Sequence, residues 1–338
     1  MIVRILQFPL TAVLLSTAAF AGIVVTEPKD GATVSLLTDA QKAYLAMPRA
    51  DRRTKVPQGN AYCPKAVRLA WTAEDGAVCT VSVKDAKTGA CVYEGTVKGG
   101  LADVDNLEIA AEYEWTVSRG DEMATSRFKT EDTAPRLVRF PGVPNVRDLG
   151  GRIGLGGKRV KQGMIFRSAR LSEDGEYICT RFGIKSDVDL RSDRECHGMK
   201  GSPLGESVTW FHCPSSAYAE ILSDDGKDAF KKVFKVFLDR KNYPLVFHCA
   251  GGRDRAGTVA FVLNALLGVE KDQLYFDWRA TGLWDSSIGY RQERRFDALE
   301  GGFVKNYPAP TVNESVEKYV LSLGFTSEDI AMFRGIML

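Results

Sequence analysis

Histidine is scarce, with three in 338 residues, and the charges nearly cancel: 45 Lys and Arg against 43 Asp and Glu, a net charge of +2. Such a balance gives no global basic field, so nucleic acid is not expected as a partner. Gly (32) and Pro (13) fall far below collagen-like or low-complexity levels. The spacings that announce a zinc site, Cys-x-x-Cys and His-x3-His, are missing. All three histidines adjoin a cysteine (Cys196-His197, His212-Cys213, His248-Cys249), but neighbours on a strand face opposite ways and each pair can turn only one ligand inward. No metal and no cofactor are expected. Past the N-terminus no apolar run reaches the ~20 residues of a spanning helix, which argues against stable membrane insertion.

Residues 1–21 read as a secretory signal. Arg4 supplies a positive start, Ile5–Ala18 an apolar core, and Ala19-Phe20-Ala21 a small-x-small cleavage site. Periplasmic or extracellular export is the expectation. Seven cysteines are then an odd number for an oxidising compartment, so at least one thiol of a monomer stays unpaired. Cys79 and Cys91 flank a candidate hairpin, and spacing alone leaves their pairing open.

The length suits two domains. From 22 to 130 the pattern is β: candidate strands are 23–26, 33–36, 66–72, 78–83, 91–95, 107–110, 113–117 and 123–129, separated by turn-rich segments. Short strands at this density predict an all-β, two-sheet sandwich. Leu107-x-Ile109-x-Ala111-x-Tyr113 has the spacing of a tyrosine corner, and Trp71 can fill the core, so the unit resembles a fibronectin type III module. Residues 38–64 interrupt it with a short helix capped at Thr38 and the charged run Arg49–Lys55. The run reads first as a solvated insertion loop, with the alternative that it leans toward the site of the second domain and offers cations to an anionic ligand. A polar linker at 131–136 follows. From 137 to 338 strands (185–190, 208–212, 245–249) alternate with helices (226–240, 255–267, 271–280, 313–323, 327–337), which predicts an α/β domain whose mostly parallel sheet is flanked by helices.

The segment that carries chemistry is His248-Cys249-Ala250-Gly251-Gly252-Arg253-Asp254-Arg255, a loop between an apolar strand and a helix. Backbone amides at a helix N-terminus and the helix dipole attract an anion there. Gly251 and Gly252 let the backbone curl without Cβ clashes, and Arg255 can clasp two phosphoryl oxygens with its planar fork. The same field favours an anionic sulfur on Cys249. Ala250, Gly251, Gly252, Arg253, Asp254 and Arg255 are therefore the expected phosphate cup.

Cys-x5-Arg after a strand is the signature of cysteine-based protein tyrosine phosphatases, and His-Cys-x-Gly-Gly-x-Asp-Arg resembles their atypical bacterial branch. Asn145-Val-Arg147-Asp148-Leu-Gly-Gly151, Phe166-Arg167-Ser168 and Val188-Asp189-Leu-Arg191-Ser192 agree with it. The resemblance covers about 135–338. It implies an α/β fold, hydrolysis through a phosphocysteine, and substrates among phosphotyrosine proteins, with phosphoserine/threonine proteins and phosphoinositides as alternatives. Cys249 is then the nucleophile and Arg255 the phosphate clamp. Asp189 is our first choice of general acid, Asp254 the second, with Asp224 and Asp225 before a helix as further candidates. His248, Asn145, Arg147 and Asp148 are expected to support the loop, and Arg253 either adds charge recognition or points into solvent. Ala256 departs from the branch, which has Thr or Ser after the loop arginine. The hydroxyl that helps the sulfur leave is then missing, so slow turnover with phosphoenzyme accumulation is expected, with a non-catalytic phosphate-binding cup as the alternative. Thr258, two residues along the helix, faces elsewhere. Sulfur transfer fits the arginine spacing less well. The β-sandwich shows no catalytic constellation and reads as a scaffold or a surface for a protein partner.

Overall fold

The computed structural model describes residues 22–47, 61–73, 76–172, 175–285 and 290–338. The expected signal segment and the run Arg49–Lys55 lie outside the described residues.

The N-terminal unit contains β1 (Val24–Glu27), β2 (Ala32–Val34), α1 (Asp39–Ala46), β3 (Val67–Thr72), β4 (Val78–Asp85), β5 (Cys91–Lys98), β6 (Leu101–Val104), β7 (Glu112–Arg119) and β8 (Glu122–Thr130). They form a three-stranded sheet, β1-β3-β6, and a five-stranded one, β2-β8-β7-β4-β5. Alternate residues such as Leu69, Trp71, Val81, Trp115, Val117 and Phe128 close one core between them. One expected strand is corrected. Residues 107–110 form a corner, with Asn106 and Ala110 at positive φ, and β6 is the strand instead. The alternation that suggested a strand buries Leu107 and Ile109 in the sandwich core, while the Ile109 amide donates to Gln162 of the other half. Tyr113 accepts a hydrogen bond from Glu108 N–H at 2.9 Å, the contact its spacing predicted. Thr38 caps α1 through a capping box with Gln41.

The C-terminal unit contains β9 (Arg147–Asp148), β10 (Ile165–Ser168), α2 (Gly175–Phe182), β11 (Ser186–Asp189), α3 (Asp193–Cys196), β12 (Thr209–His212), α4 (Asp224–Leu238), β13 (Leu245–His248), α5 (Asp254–Leu266), α6 (Lys271–Arg279), α7 (Tyr290–Asn306), α8 (Val312–Ser322) and α9 (Ser327–Met337). The sheet order is β12-β11-β13-β10-β9. Its first four strands run parallel and β9 pairs antiparallel with β10, so the sheet is mixed, with a single antiparallel edge strand. β13 lies at its centre, all four residues buried, which is why its sequence is apolar without alternation. α5 is buried from Ala256 to Leu266 and is largely apolar on every side, whereas α4 buries one face, with Gly226, Phe230, Val233, Phe234, Val236 and Phe237.

The junction at 131–136 is not a free linker. Arg136 is buried and donates to Leu107 O (3.1 Å), Asn106 O (2.8 Å) and Asp148 Oδ2 (2.7 Å). Gln162 pairs both ways with the Ile109 backbone, at 3.0 and 2.9 Å. The sandwich is thus docked on the strand that opens the catalytic half. All seven cysteines are free thiols, and the pairing left open for Cys79 and Cys91 is not made.

Candidate active site

β13 delivers Cys249 to the C-terminal edge of the sheet, and α5 begins five residues later. This is the strand-end crevice where open α/β sheets place their ligands. The loop between them is held by its carbonyls. Ala250 O accepts from Arg170 N–H (3.0 Å), Gly251 O from the Asn145 amide (2.9 Å) and Gly252 O from the Arg167 guanidinium (2.7 Å). In a planar trans peptide the N–H points opposite to its C=O. With three successive carbonyls drawn outward, the amides of Gly251, Gly252 and Arg253 face the other side and form an anion nest. Gly252 has φ of 65°, and a Cβ there would stand 2.5 Å from the Ser168 carbonyl carbon and oxygen, so only glycine fits.

Cys249 is buried and unpaired. Arg255 lies beside it: its guanidinium is held charged first by Glu195, with Cys249 contributing as a further partner. Glu195, on α3, binds Arg255 with both oxygens, at 2.6 and 2.7 Å. That bond pulls its carboxyl down to about 2, so the Arg255–Glu195 fork persists across the physiological range. Nothing in the local sequence marked Glu195, which lies sixty residues before its partner.

Beneath the loop sits a buried hub. Asp277 on α6 meets Arg147 Nε at 3.3 Å, Arg152 Nη2 at 3.1 Å and Arg167 Nη1. Arg147 in turn donates to Asn145 Oδ1 at 2.6 Å, so both loop-holding side chains, Asn145 and Arg167, trace back to this one carboxylate. Burial pushes the Asp277 carboxyl up, but Arg167, Arg147 and Arg152 more than offset this and hold it well below the usual range. Asn145 and Arg147 therefore stand where expected. Asp148 does not reach the loop: its oxygens hold the Gly150 and Gly163 amides (2.7 and 2.6 Å) and Arg136. Asp277 was missed because its three arginine partners, Arg147, Arg152 and Arg167, are buried only in the folded chain, where they need a buried counter-charge.

The acid candidates separate. Asp189 is buried in β11 with Arg191 bound to both oxygens (2.9 and 2.6 Å). Burial works to raise its carboxyl, yet Arg191 and His248 bring it down to about 2. With Arg191 on both oxygens, the Asp189 carboxylate is poorly placed to pass a proton to a leaving group. Asp254 stands at the rim, accepting from Tyr218 O–H at 2.5 Å and Arg253 Nε at 3.2 Å. Asp224 is fully exposed at the start of α4 beside Lys227, and Asp225 is next to it. Arg253 neither points freely into solvent nor is spare for a second phosphate, because it is paired with Asp285 and Asp254. His248 is buried under the loop, its Nε2 3.1 Å from Asp187 Oδ1. Burial disfavours its charged form, and Asp187 and Asp189 more than compensate and raise it. The Thr258 hydroxyl is engaged by Asp254 O (2.9 Å) and Tyr218 N–H (2.7 Å) and does not substitute for the residue missing at Ala256. Cys196 and Cys213 are pushed up to about 11, mainly by burial, and stay protonated at neutral pH.

A nest of amides, a sulfur at its base and a guanidinium across it define a phosphate-handling site. Residues 138–338 match the model of the tyrosine phosphatase family, and the chain belongs to that family of phosphatase enzymes. It is 31% identical over 165 residues, 40% of this chain and 60% of the relative, to a Cupriavidus necator protein named as a tyrosine-protein phosphatase. It is 27% identical over 132 residues, 32% of this chain and 44% of the relative, to the tyrosine-protein phosphatase of Nostoc commune. The chain thus spans about half the length of these relatives. Among solved structures, TpbA of P. aeruginosa with phosphotyrosine is 18% identical (TM-score 0.33; 48% of this chain, 88% of that one). The core catalytic domain of the PP-IP phosphatase SIW14 of S. cerevisiae is 16% identical (TM-score 0.31; 42% and 84%).

Proposed function

We propose that this chain hydrolyses phosphate monoesters of tyrosine through a phosphocysteine intermediate. Cys249 sulfur attacks phosphorus as the P–O bond breaks opposite it, and the leaving oxygen takes its proton from Asp254. Water then attacks phosphorus, the S–P bond breaks, and inorganic phosphate leaves. Arg255 and the amides of Gly251–Arg253 absorb the charge on the equatorial oxygens. The observation that carries this reading is the three outward carbonyls, because they aim the amides where a PO₃ group would sit. Asp254 is the acid in this reading because its carboxyl is partly exposed in the loop, whereas Asp189 is fully buried with Arg191 on both oxygens.

The export signal at 1–21 and the fibronectin-like character of the N-terminal unit belong to the same proposal. The second rests on the two-sheet order and on the Tyr113–Glu108 contact. The test is hydrolysis of a phosphotyrosine peptide by the wild-type chain and by Cys249→Ser. The variant is expected to lose all turnover and to retain phosphate binding. Turnover surviving in Cys249→Ser overturns the mechanism, and stoichiometric binding with no wild-type hydrolysis leaves a phosphate-binding protein instead.

A further inference from the structure

Trp284 is absorbed by none of the steps above, yet it borders the cup. It follows the 3-10 turn Ala280–Leu283 at the end of α6. Its ring lies 3.6 Å from where a Cβ on Gly251 would stand, and the side chain is half-buried. Its neighbour Asp285 ties to Arg253, whose Nε is 3.2 Å from Asp254 Oδ1. The Cζ3 edge of the indole thus borders the loop at Gly251, and the Asp285–Arg253 pair ties the same segment to Asp254.

The turn that carries Trp284 is propped from the N-terminal unit. A Cβ on Gly282 would lie 1.7 Å from the Tyr44 hydroxyl, so the α1 side chain packs directly on the turn. The Arg279 guanidinium stands 5.4 Å from the Tyr44 ring centroid. Leu37, Leu45, Leu137, Ala280 and Leu283 close an apolar cluster around this contact. Helix α1 belongs to the insertion at 38–64, so the sandwich reaches the catalytic rim through it.

We propose that Trp284 is the residue that selects an aromatic phosphate ester, and that Tyr44 of the N-terminal unit positions it. The proposal rests on the phosphatase reading of the cup and deepens it. An aryl phosphate extends a flat ring from the cup onto the indole, where offset stacking is favourable, whereas the short alkyl stem of phosphoserine offers the indole little surface. A wall supplied by the insertion makes the sandwich part of substrate recognition.

Binding in a Cys249→Ser background tests this apart from turnover. Phosphotyrosine and phosphoserine peptides of one sequence, and inorganic phosphate, are titrated calorimetrically. Trp284→Ala should weaken the phosphotyrosine peptide about tenfold and leave inorganic phosphate unchanged. Trp284→Phe should retain most of the affinity, and Tyr44→Ala should weaken the aryl peptide in the same selective way. With Cys249 present, the loss should fall on KM for the aryl peptide rather than on kcat. Equal weakening of all three ligands would make Trp284 a structural support of the loop, and an unchanged aryl affinity in Trp284→Ala would remove it from recognition; either result overturns the proposal. Absence of wild-type turnover with selective binding intact would instead sink only the catalytic reading.

Discussion

Asp277→Asn is the substitution whose consequences the structure specifies most fully. The side chain keeps its shape, but the carboxylate facing Arg147, Arg152 and Arg167 is lost, leaving three buried guanidiniums without it. Breaking a buried ion pair by removing one partner costs about 3–5 kcal/mol. For a folding unit of this size each kcal/mol moves the midpoint by roughly 2–4 °C, so Tm should fall by about 10 °C. The pH dependence has a definite sign. The folded-state carboxyl is depressed, so its contribution is fully present above the unfolded value near ~3.9 and is lost as pH falls through the folded value. The difference between wild type and variant should therefore hold flat from pH 8 to 5 and shrink only in stronger acid. Activity should suffer as well, because Asn145 and Arg167 lose the anchor that fixes the Gly251 and Gly252 carbonyls, and supports of this kind typically cost 10–100-fold. Thermal unfolding by circular dichroism at several pH values, with turnover of a phosphotyrosine peptide alongside, reads both effects. A loss below about 1 kcal/mol at pH 7 with normal turnover would refute the hub.

Other outcomes follow from single contacts. Asp254→Asn should lower kcat by about 10²-fold on a phosphotyrosine peptide and far less on an ester with a good leaving group; Asp189→Asn should show no such leaving-group dependence, and the reverse pattern would restore Asp189 as the acid. Glu195→Gln loosens the Arg255 fork and should raise KM in steady-state assays; with the Glu195 carboxyl held down at about 2, the ratio of the two KM values should not change between pH 8 and 5. Ala256→Ser returns a hydroxyl next to the loop arginine and should shrink a pre-steady-state burst by speeding dephosphorylation; an unchanged burst would make Ala256 irrelevant. Gly252→Ala should abolish phosphate binding, because the new Cβ meets the Ser168 carbonyl at 2.5 Å.

What the sequence made legible was local. Cys249, Arg255 and the loop glycines lie within seven residues and announce their geometry by spacing. Helices α4, α5, α6, α8 and α9 matched their expected ranges to within about two residues, because apolar periodicity is a local property. α7 escaped because its inward residues, Phe296, Leu299 and Phe303, are set among Arg and Glu. β9 and β10 escaped because their buried residues include Arg147, Asp148 and Arg167, which pattern reading assigns to the surface. The preference between acids turns on a related point: Asp189 ends β11 fully buried, and its pairing with Arg191, two residues on, is not visible in the strand pattern.

The Arg136 contact bears on how the protein can be divided. Its guanidinium spans two sandwich carbonyls and the Asp148 carboxylate that shapes the turn after β9. A fragment beginning at 137 would strip that carboxylate of its cation and bare Leu137, which packs with Leu37, Tyr44 and Leu45 of the N-terminal unit. The sandwich therefore behaves less like cargo on a tether than like a keystone, and evolution could not swap it for an unrelated module without recutting the face it closes.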